Sequence, residues 1–419
     1  MDNLQHKVYN LGIRLLDIGL GIAAPFYAKA RESLRGRRAT DRALAGFAAR
    51  ATGKKVVWVH CASLGEFEQG RPVIEQIAAR YPDAAILLTF FSPSGYQMRK
   101  NFQAASLVCY MPVDTPARAR RFIEAVAPDL AIFVKYEFWL NHLFELHKQR
   151  IPILLASAVF HRKQSFFGVG GRLFRKVLPM YERIFVQNRE SAGLLDELGV
   201  SNYEIAGDTR IDRVAQIAER SGPIPVAEAF AVGSPVLVVG SSWPADERIL
   251  QRLINNDLPA NWKVILAPHE VDELHLAAIE EKLSIPAIRY SEAEKSGAGA
   301  ARCLIIDNIG MLSRLYRYGR VAYIGGGFGA GIHNTLEPLA FGLPVIIGPK
   351  YGKFGEAVAM IAQGGMYSVR NAEELSEAFT ALLPADRYEK AQNAARVFIE
   401  SNKGATESIM KYIAQRELL

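Results

Sequence analysis

Short, unbroken apolar runs punctuate the chain, each followed by a turn and then by a longer stretch with helical spacing. In the first half these are Lys55–Cys61 (KVVWVHC), Ala85–Phe91 (AILLTFF), Ser106–Tyr110 (SLVCY), Leu130–Lys135 (LAIFVK), Ile153–Ala158 (ILLASA) and Arg183–Gln187 (RIFVQ). Runs that do not alternate apolar with polar residues predict strands buried on both faces. Helical segments between them predict a parallel, doubly wound sheet. The pattern pauses over Asp208–Pro235, which contains Ser221-Gly222-Pro223-Ile224-Pro225. It resumes with Pro235–Gly240, Lys263–Ala267, Cys303–Ile306, Val321–Gly325 and Pro344–Gly348. Two Rossmann-like domains follow, residues 51–208 and 209–398, with a final helix over 399–419 expected to pack back on the first. Tyr388–Leu419 reads as one long helical pattern. Open parallel sheets bind ligands beyond the carboxyl ends of their strands, so a site is expected in the cleft between the two sheets, on residues directly after strands.

Residues 1–50 stand apart. Tyr9–Tyr27 is strongly apolar but is interrupted by Arg14 and Asp17, and Pro25 predicts a helix ending near Ala24. Those charges count against a spanning helix, and the segment lacks the basic leader and cleavage site of a signal peptide. Lys29, Arg31, Arg35, Arg37 and Arg38 follow. An apolar helix beside a basic cluster suits a membrane interface, and a core-packed helix followed by a solvated loop is the alternative. Charge matters here because it is local. The chain carries +7 overall, and its first fifty residues hold nine Lys/Arg against four Asp/Glu.

With 419 residues, 50% hydrophobic and 22% charged, the chain is not disordered. Cys61, Cys109 and Cys303 are far apart, which excludes a disulfide scaffold or zinc ribbon and fits a reducing cytosol. His60, His269 and His333 have no ligand spacing, so no metal site is expected.

Candidate chemistry follows the strands. Ala62-Ser63-Leu64-Gly65-Glu66 puts a carboxylate in the first turn of a helix, where the dipole would hold it ionised and ready to accept a proton. The same residues match the S-x-x-E capping box, with Ser63 as the cap. Gly325-Gly326-Gly327-Phe328-Gly329-Ala330-Gly331 has five glycines in seven residues, which lets backbone approach a phosphate or sugar. Its spacing is neither that of a dinucleotide loop nor of a Walker A loop. Asn334 and Glu337 follow on one helical face, where a carboxylate can accept from a ribose. Gly240-Ser241-Ser242-Trp243 offers hydroxyls and N–H groups for phosphate, or an ordinary cap. Glu137, in Lys135-Tyr136-Glu137-Phe138-Trp139, could orient a sugar hydroxyl or pair with Lys135. His161–Lys176 carries Arg162, Lys163, Arg172 and Arg175 among aromatics and Gly168, Gly170 and Gly171, with no acid. That composition suits an anionic amphiphile, and no nucleic-acid module accompanies it. Ser94 in SPSGY is no nucleophile elbow, since G-x-S-x-G is absent.

HCASLGEFEQGRPVIEQI, TFFSPSGY, KYEFW, GDTRIDRV, GSSWPADE, IIDNIGML and GGGFGAGIHNTLEPLAFGLPVIIGP occur in this order. Over residues 5–400 the chain thereby resembles the 3-deoxy-D-manno-oct-2-ulosonic acid (Kdo) transferases of lipopolysaccharide synthesis. The resemblance implies the GT-B fold, two Rossmann-like domains facing across a cleft, and inverting transfer of Kdo from CMP-Kdo to the 6′-hydroxyl of a tetraacylated lipid A precursor. It implies a peripheral or monotopic protein on the cytoplasmic face of the bacterial inner membrane, with no cofactor or metal and no nucleic-acid partner. Glu66 becomes the general base, and the segment 1–50 the membrane-docking element. Gly240, Ser241, Ser242, Gly310, Met311, Gly331, Asn334 and Glu337 become donor-binding residues. Ser63, Gly65, Ser94, Glu137, Arg162, Lys163, Arg172 and Arg175 fall on the acceptor side. Where the family often has Arg-His-Pro, this chain has Pro268-His269-Glu270, which leaves His269 with Arg210 or Lys350 to hold the CMP phosphate. The family's Ala-Arg-Leu-Ser run is Ala158-Val159-Phe160-His161 here. Another GT-B enzyme, a UDP-sugar transferase or an epimerase, would share the second half.

Overall fold

A computed structural model describes residues 3–168 and 171–419 and divides the chain into two compact units. The first comprises residues up to Asp212 together with Gly404–Leu419, and the second Arg213–Lys403. The first division therefore falls at 212/213, inside the helix Thr209–Arg220 and not at 208. The Ser221–Pro225 stretch, where the strand pattern pauses, lies within the second unit. Residues 1–50 do not form a domain of their own and belong to the first unit.

The first sheet holds β1 (Val56–Cys61), β2 (Ala85–Phe90), β3 (Leu107–Tyr110), β4 (Leu130–Val134), β5 (Ile153–Ala158), β6 (Arg183–Val186) and β7 (Tyr203–Ile205), in the order β3-β2-β1-β4-β5-β6-β7. The second holds β8 (Val236–Ser242), β9 (Lys263–Pro268), β10 (Ala287–Arg289), β11 (Cys303–Ile305), β12 (Val321–Ile324), β13 (Val345–Ile347) and β14 (Met366–Ser368), in the order β10-β11-β9-β8-β12-β13-β14. All recorded pairings are parallel. In the second sheet β11 is inserted between β9 and β10, and the strand order reverses between β1 and β4 in the first sheet and between β8 and β12 in the second. A crevice opens at the carboxyl ends there, because successive crossovers leave on opposite faces. His60 pairs with Phe133 and Gly240 with Ile324 at those two ends.

The core follows the strands. Every residue of β1, β2, β4 and β5 is buried, and Trp58 packs edge-on to Phe122 and Phe133 at 4.9 and 5.1 Å. In the second unit Trp262 meets Phe379 edge-on at 4.8 Å. Burying each such ring stabilises its unit by about 1.5–3 kcal/mol.

The carboxyl end is two helices and not one. Ala385–Asn402 stops before Gly404, whose φ of 112° suits glycine. Asp212 then accepts the backbone N–H groups of Gly404 and Thr406 at 2.5 and 2.6 Å, so the helix Ala405–Gln415 starts on a carboxylate. That helix packs on the helix after β1, burying Ile409, Met410 and Ile413.

The chain begins with α1 (Asn3–Ala23) and α2 (Ala28–Ala51). Polar side chains on α1 face the protein. Tyr9 donates to Asp114 at 2.5 Å, a ring nitrogen of His6 meets Asn141 at 2.8 Å, Asn141 donates to Asn10 at 2.8 Å, and Asp17 pairs with Arg118 at 2.9 Å. Leu4, Val8, Leu11, Leu15, Ile18 and Ile22 form the opposite stripe, each more than half exposed. This helix is inverted relative to a surface helix of a water-facing protein. Among the described residues no single helix is long and apolar enough to cross a membrane.

Candidate active site

In the first unit the chain leaves β1, turns at Ser63 and enters α3 (Leu64–Arg80). The capping box forms. The Ser63 N–H donates to Glu66 Oε2 at 2.8 Å, the Ser63 hydroxyl lies 3.2 Å from the same oxygen, and the Glu66 N–H reaches Ser63 Oγ at 3.5 Å. Glu66 Oε1 makes no hydrogen bond among the described residues. Capping and catalysis are therefore compatible: one oxygen serves the helix and the other is available. The charge state differs from the expectation. Burial, and secondly the nearby Glu137 carboxylate, push the Glu66 carboxyl up to about 7, and its bonds to Ser63 and the field of Lys135 do not offset this. A dipole contribution at a helix start is small beside the desolvation of a carboxylate.

Glu137 stands after β4, the strand beside β1. It is 8% exposed, its Oε2 accepts the indole N–H of Trp139, and its backbone carbonyl accepts from Tyr181 at 3.0 Å. His60, fully buried on β1, brings Nε2 to 3.4 Å from the same carboxylate. Burial pushes His60 below its usual range in spite of that neighbour, so the imidazole is neutral. Thr89 Oγ1 takes the Trp58 indole N–H at 2.9 Å and meets His60 Nδ1 at 2.8 Å. A tuned carboxylate thus stands at the switch point, with a second, firmly held carboxylate beside it.

In the second unit the glycines serve packing first. A Cβ on Gly325 would lie 2.3 Å from the Ser241 carbonyl oxygen, one on Gly327 would strike the Gly348 backbone at 2.6 Å, and one on Gly240 would lie 2.1 Å from the Tyr316 hydroxyl. The loops after β8, β12 and β13 therefore touch backbone to backbone. Asp246, fully buried, ties the loops after β8 and β12 by accepting from Tyr323 Oη at 2.8 Å, the Gly326 N–H at 2.9 Å and the Trp243 N–H at 3.0 Å. Ser242 donates to Glu247 at 3.1 Å, and Glu247 holds His275 at 2.9 Å. Above this frame His269 stacks on both Trp243 and His333, at 4.4 and 4.6 Å. The Trp243 indole N–H donates to His333 Nε2 at 2.8 Å, which fixes the neutral His333 with its proton on Nδ1. Burial keeps His333 below its usual range. Asn334 donates to Glu337 at 3.0 Å, from a position just before the helix Leu336–Ala340.

Residues 37–213 match the family model of 3-deoxy-D-manno-octulosonic-acid transferase (kdotransferase). The 3-deoxy-D-manno-octulosonic acid transferase of Haemophilus influenzae is 26% identical over 84% of this chain and 85% of its own, and that of Aquifex aeolicus 26% identical over 82% and 90%. Over most of its length the chain is thus similar to Kdo transferases. Its fold is of the GT-B class. The UDP-GlcNAc 2-epimerase of Neisseria meningitidis, bound to UDP-GlcNAc, superimposes with a TM-score of 0.61 at 14% identity, covering 86% of this chain and 100% of that one.

In this Kdo transferase relative the expected donor residues Gly240, Ser241, Ser242, His269, Gly331, Asn334 and Glu337 gather at the carboxyl ends of β8, β9 and β12. Gly310, with φ of 99°, and Met311 form the turn before the short helix Leu312–Leu315, beside the exposed Ile309. Arg210 lies in the first unit, held by Asp208 at 2.6 and 2.9 Å. Lys350 lies in the second and donates to the Gly329 carbonyl at 2.8 Å, a lysine beside the glycine loop. On the acceptor side Ser63, Gly65, Glu66 and Glu137 cluster, while the exposed Ser94 meets Ser92 Oγ at 2.8 Å. Arg162 is already bidentate on Glu197, at 2.6 and 2.9 Å. Lys163, Arg172 and Arg175 are exposed. Of the aromatics between them, Phe166 is buried against Phe138 at 4.6 Å and is not free for acyl chains, whereas Phe167 and Phe174 are half-buried. Gly170 of that segment lies outside the described residues. Asp246 and Thr89 were not singled out in the sequence. Asp246 sits in the first turn of the helix Pro244–Arg252, which reads as an ordinary helix start.

Proposed function

We propose that this protein transfers Kdo from CMP-Kdo to the 6′-hydroxyl of a tetraacylated lipid A precursor, by a single displacement with inversion. Glu66 carries the reading. Its free Oε1 takes the acceptor hydroxyl proton as the new oxygen–carbon bond forms at the Kdo anomeric carbon. The bond from that carbon to the phosphate oxygen breaks, and CMP leaves with the electron pair. A base with a pKa near the working pH suits this step, being largely ionised at mild alkalinity yet basic enough to accept the proton. The second unit supplies the donor side, with Asn334 and Glu337 for phosphate and ribose and the Gly310–Met311 turn for cytosine. Loop N–H groups and Lys350 offset the charge on departing CMP, so the reaction needs no metal ion.

The inverted α1 supports a membrane-surface reading. With polar groups spent on the protein and an apolar stripe outside, α1 lies in the interface of the cytoplasmic leaflet as a monotopic element. The test is incubation of purified protein with CMP-Kdo and the precursor, read by mass spectrometry. A mass gain of one or more Kdo units is expected. No gain, while CMP still raises the melting temperature, would move the acceptor elsewhere, and no CMP effect would refute the donor.

A further inference from the structure

A cavity of about 520 Å³ lies among α1, α2 and the helix Pro116–Val126, in the first unit and apart from Glu66 and Glu137. Its charged walls are Arg37, Arg38, Arg118 and Arg121 against Asp17 and Asp41, a net excess of positive charge. Two of the arginines are built in. Arg118 holds Asp17, and Arg37 donates to the carbonyls of Phe91 and Met111 at 3.0 and 3.2 Å with its guanidinium over the Phe91 ring at 4.5 Å. Burial lowers Arg37 only to about 10, so it stays charged at neutral pH. Arg38 and Arg121 are exposed and form no ion pair among the described residues.

Position narrows the occupant. Asp17 and Gly21 of α1 line the cavity, and Ile18 and Ile22, each one residue further on, belong to the exposed apolar stripe. An anion held here is therefore next to a helix with a lipid-seeking face. Several guanidinium forks around one space match the oxygens of a phosphate better than a single carboxylate, and the volume exceeds what a bare phosphate needs. We propose that this cavity seats the phosphate of an anionic lipid headgroup when α1 lies on the bilayer, an assignment that rests on the membrane-docking reading above. A diffuse basic surface would attract anionic lipid without regard to which arginines remain. A built site depends on the ones that line it.

The test uses the full chain and sedimentation with vesicles of phosphatidylcholine, alone or doped with phosphatidylglycerol. Neutralising two surface arginines weakens any basic protein on an anionic bilayer by about thirtyfold. Arg38→Gln with Arg121→Gln is expected to lose about a further tenfold relative to Arg35→Gln with Arg42→Gln, a charge-matched pair on α2 that does not line the cavity. All four residues are exposed, and matching melting temperatures would show that both variants are folded. Equal losses in the two variants would overturn the cavity while leaving membrane docking intact. Inorganic phosphate that stabilises the wild type but not Arg38→Gln/Arg121→Gln, without any vesicle preference, would overturn the lipid source in favour of a soluble anion. Failure of the wild type to bind either vesicle would overturn the docking reading and this one together.

Discussion

The pH dependence of transfer is the most direct test of Glu66, because a general base works only when ionised. An unperturbed glutamate would titrate near 4.5, whereas burial and Glu137 bring Glu66 to about 7. Working through the sign, a raised pKa keeps the proton on to higher pH, so kcat/KM should rise with pH through an acid limb centred near 7. About a tenth of the enzyme would be active at pH 6 and about nine-tenths at pH 8. With the ordinary value, the rate would already be flat across that range. The measurement is initial rate at low donor concentration from pH 5.5 to 9 at constant ionic strength, so that the limb reports the free enzyme. Glu137→Gln removes the second cause and keeps an oxygen for the Trp139 indole, so its limb should move down by roughly 0.5–1 unit. Desolvation, the larger cause, remains, so the limb should stay above 4.5. A wild-type limb below pH 5.5 would refute the assignment of the base. An unmoved limb in Glu137→Gln would refute the coupling of the two carboxylates.

Glu66→Ala should abolish transfer, by at least about a hundredfold, while CMP still raises the melting temperature; turnover near wild type would remove Glu66 from the mechanism. Gly325→Ala should destabilise the second unit by about 1–3 kcal/mol in urea unfolding, because its Cβ meets Ser241 backbone at 2.3 Å and backbone cannot swing aside. Gly352→Ala, with open space around it, serves as the unaffected comparison. Leu11→Glu with Ile18→Glu should leave the melting temperature unchanged and abolish vesicle binding, since both side chains are more than half exposed on the outer stripe. EDTA should leave transfer unchanged, and loss of activity restored by a divalent cation would contradict the metal-free step.

Most strands were legible because a strand buried on both faces must be written as an unbroken apolar run, and eleven of the runs in the sequence coincide with strands. The ones that escaped, β7, β10 and β14, are three-residue strands at sheet edges. Tyr203-Glu204-Ile205 and Ala287-Ile288-Arg289 are partly exposed, so they carry no apolar signature. The break at Gly404 was hidden for a related reason. A glycine inside a helical pattern is only mildly disfavoured, and it becomes a helix start here because Asp212, nearly two hundred residues away, accepts its N–H.

The site divides in the same way, and the division says something about how such sites are built. Position was readable, since Glu66, Glu137 and the glycine run follow strands. Electrostatics were not, because the pKa of Glu66 depends on burial and on a carboxylate delivered by a neighbouring strand. The glycine run was read as room for a ligand, yet Gly325 and Gly327 are needed so that three loops can touch one another. Close backbone approach is thus first a property of the frame. Only after Asp246 has tied the loops to β8 and the helix Pro244–Arg252 do His269, His333, Asn334 and Glu337 have fixed places from which to meet a ligand. On α1 the inference runs the opposite way. A soluble protein would turn Tyr9, Asn10 and Asp17 to water and Leu11, Leu15 and Ile18 to its core, and this chain does the reverse. Hydrogen bonds to Asp114, Asn141 and Arg118 hold that inversion in place. Under the membrane-docking proposal the outer stripe meets something less polar than water, and the polar inner face then sets which side of α1 the bilayer receives.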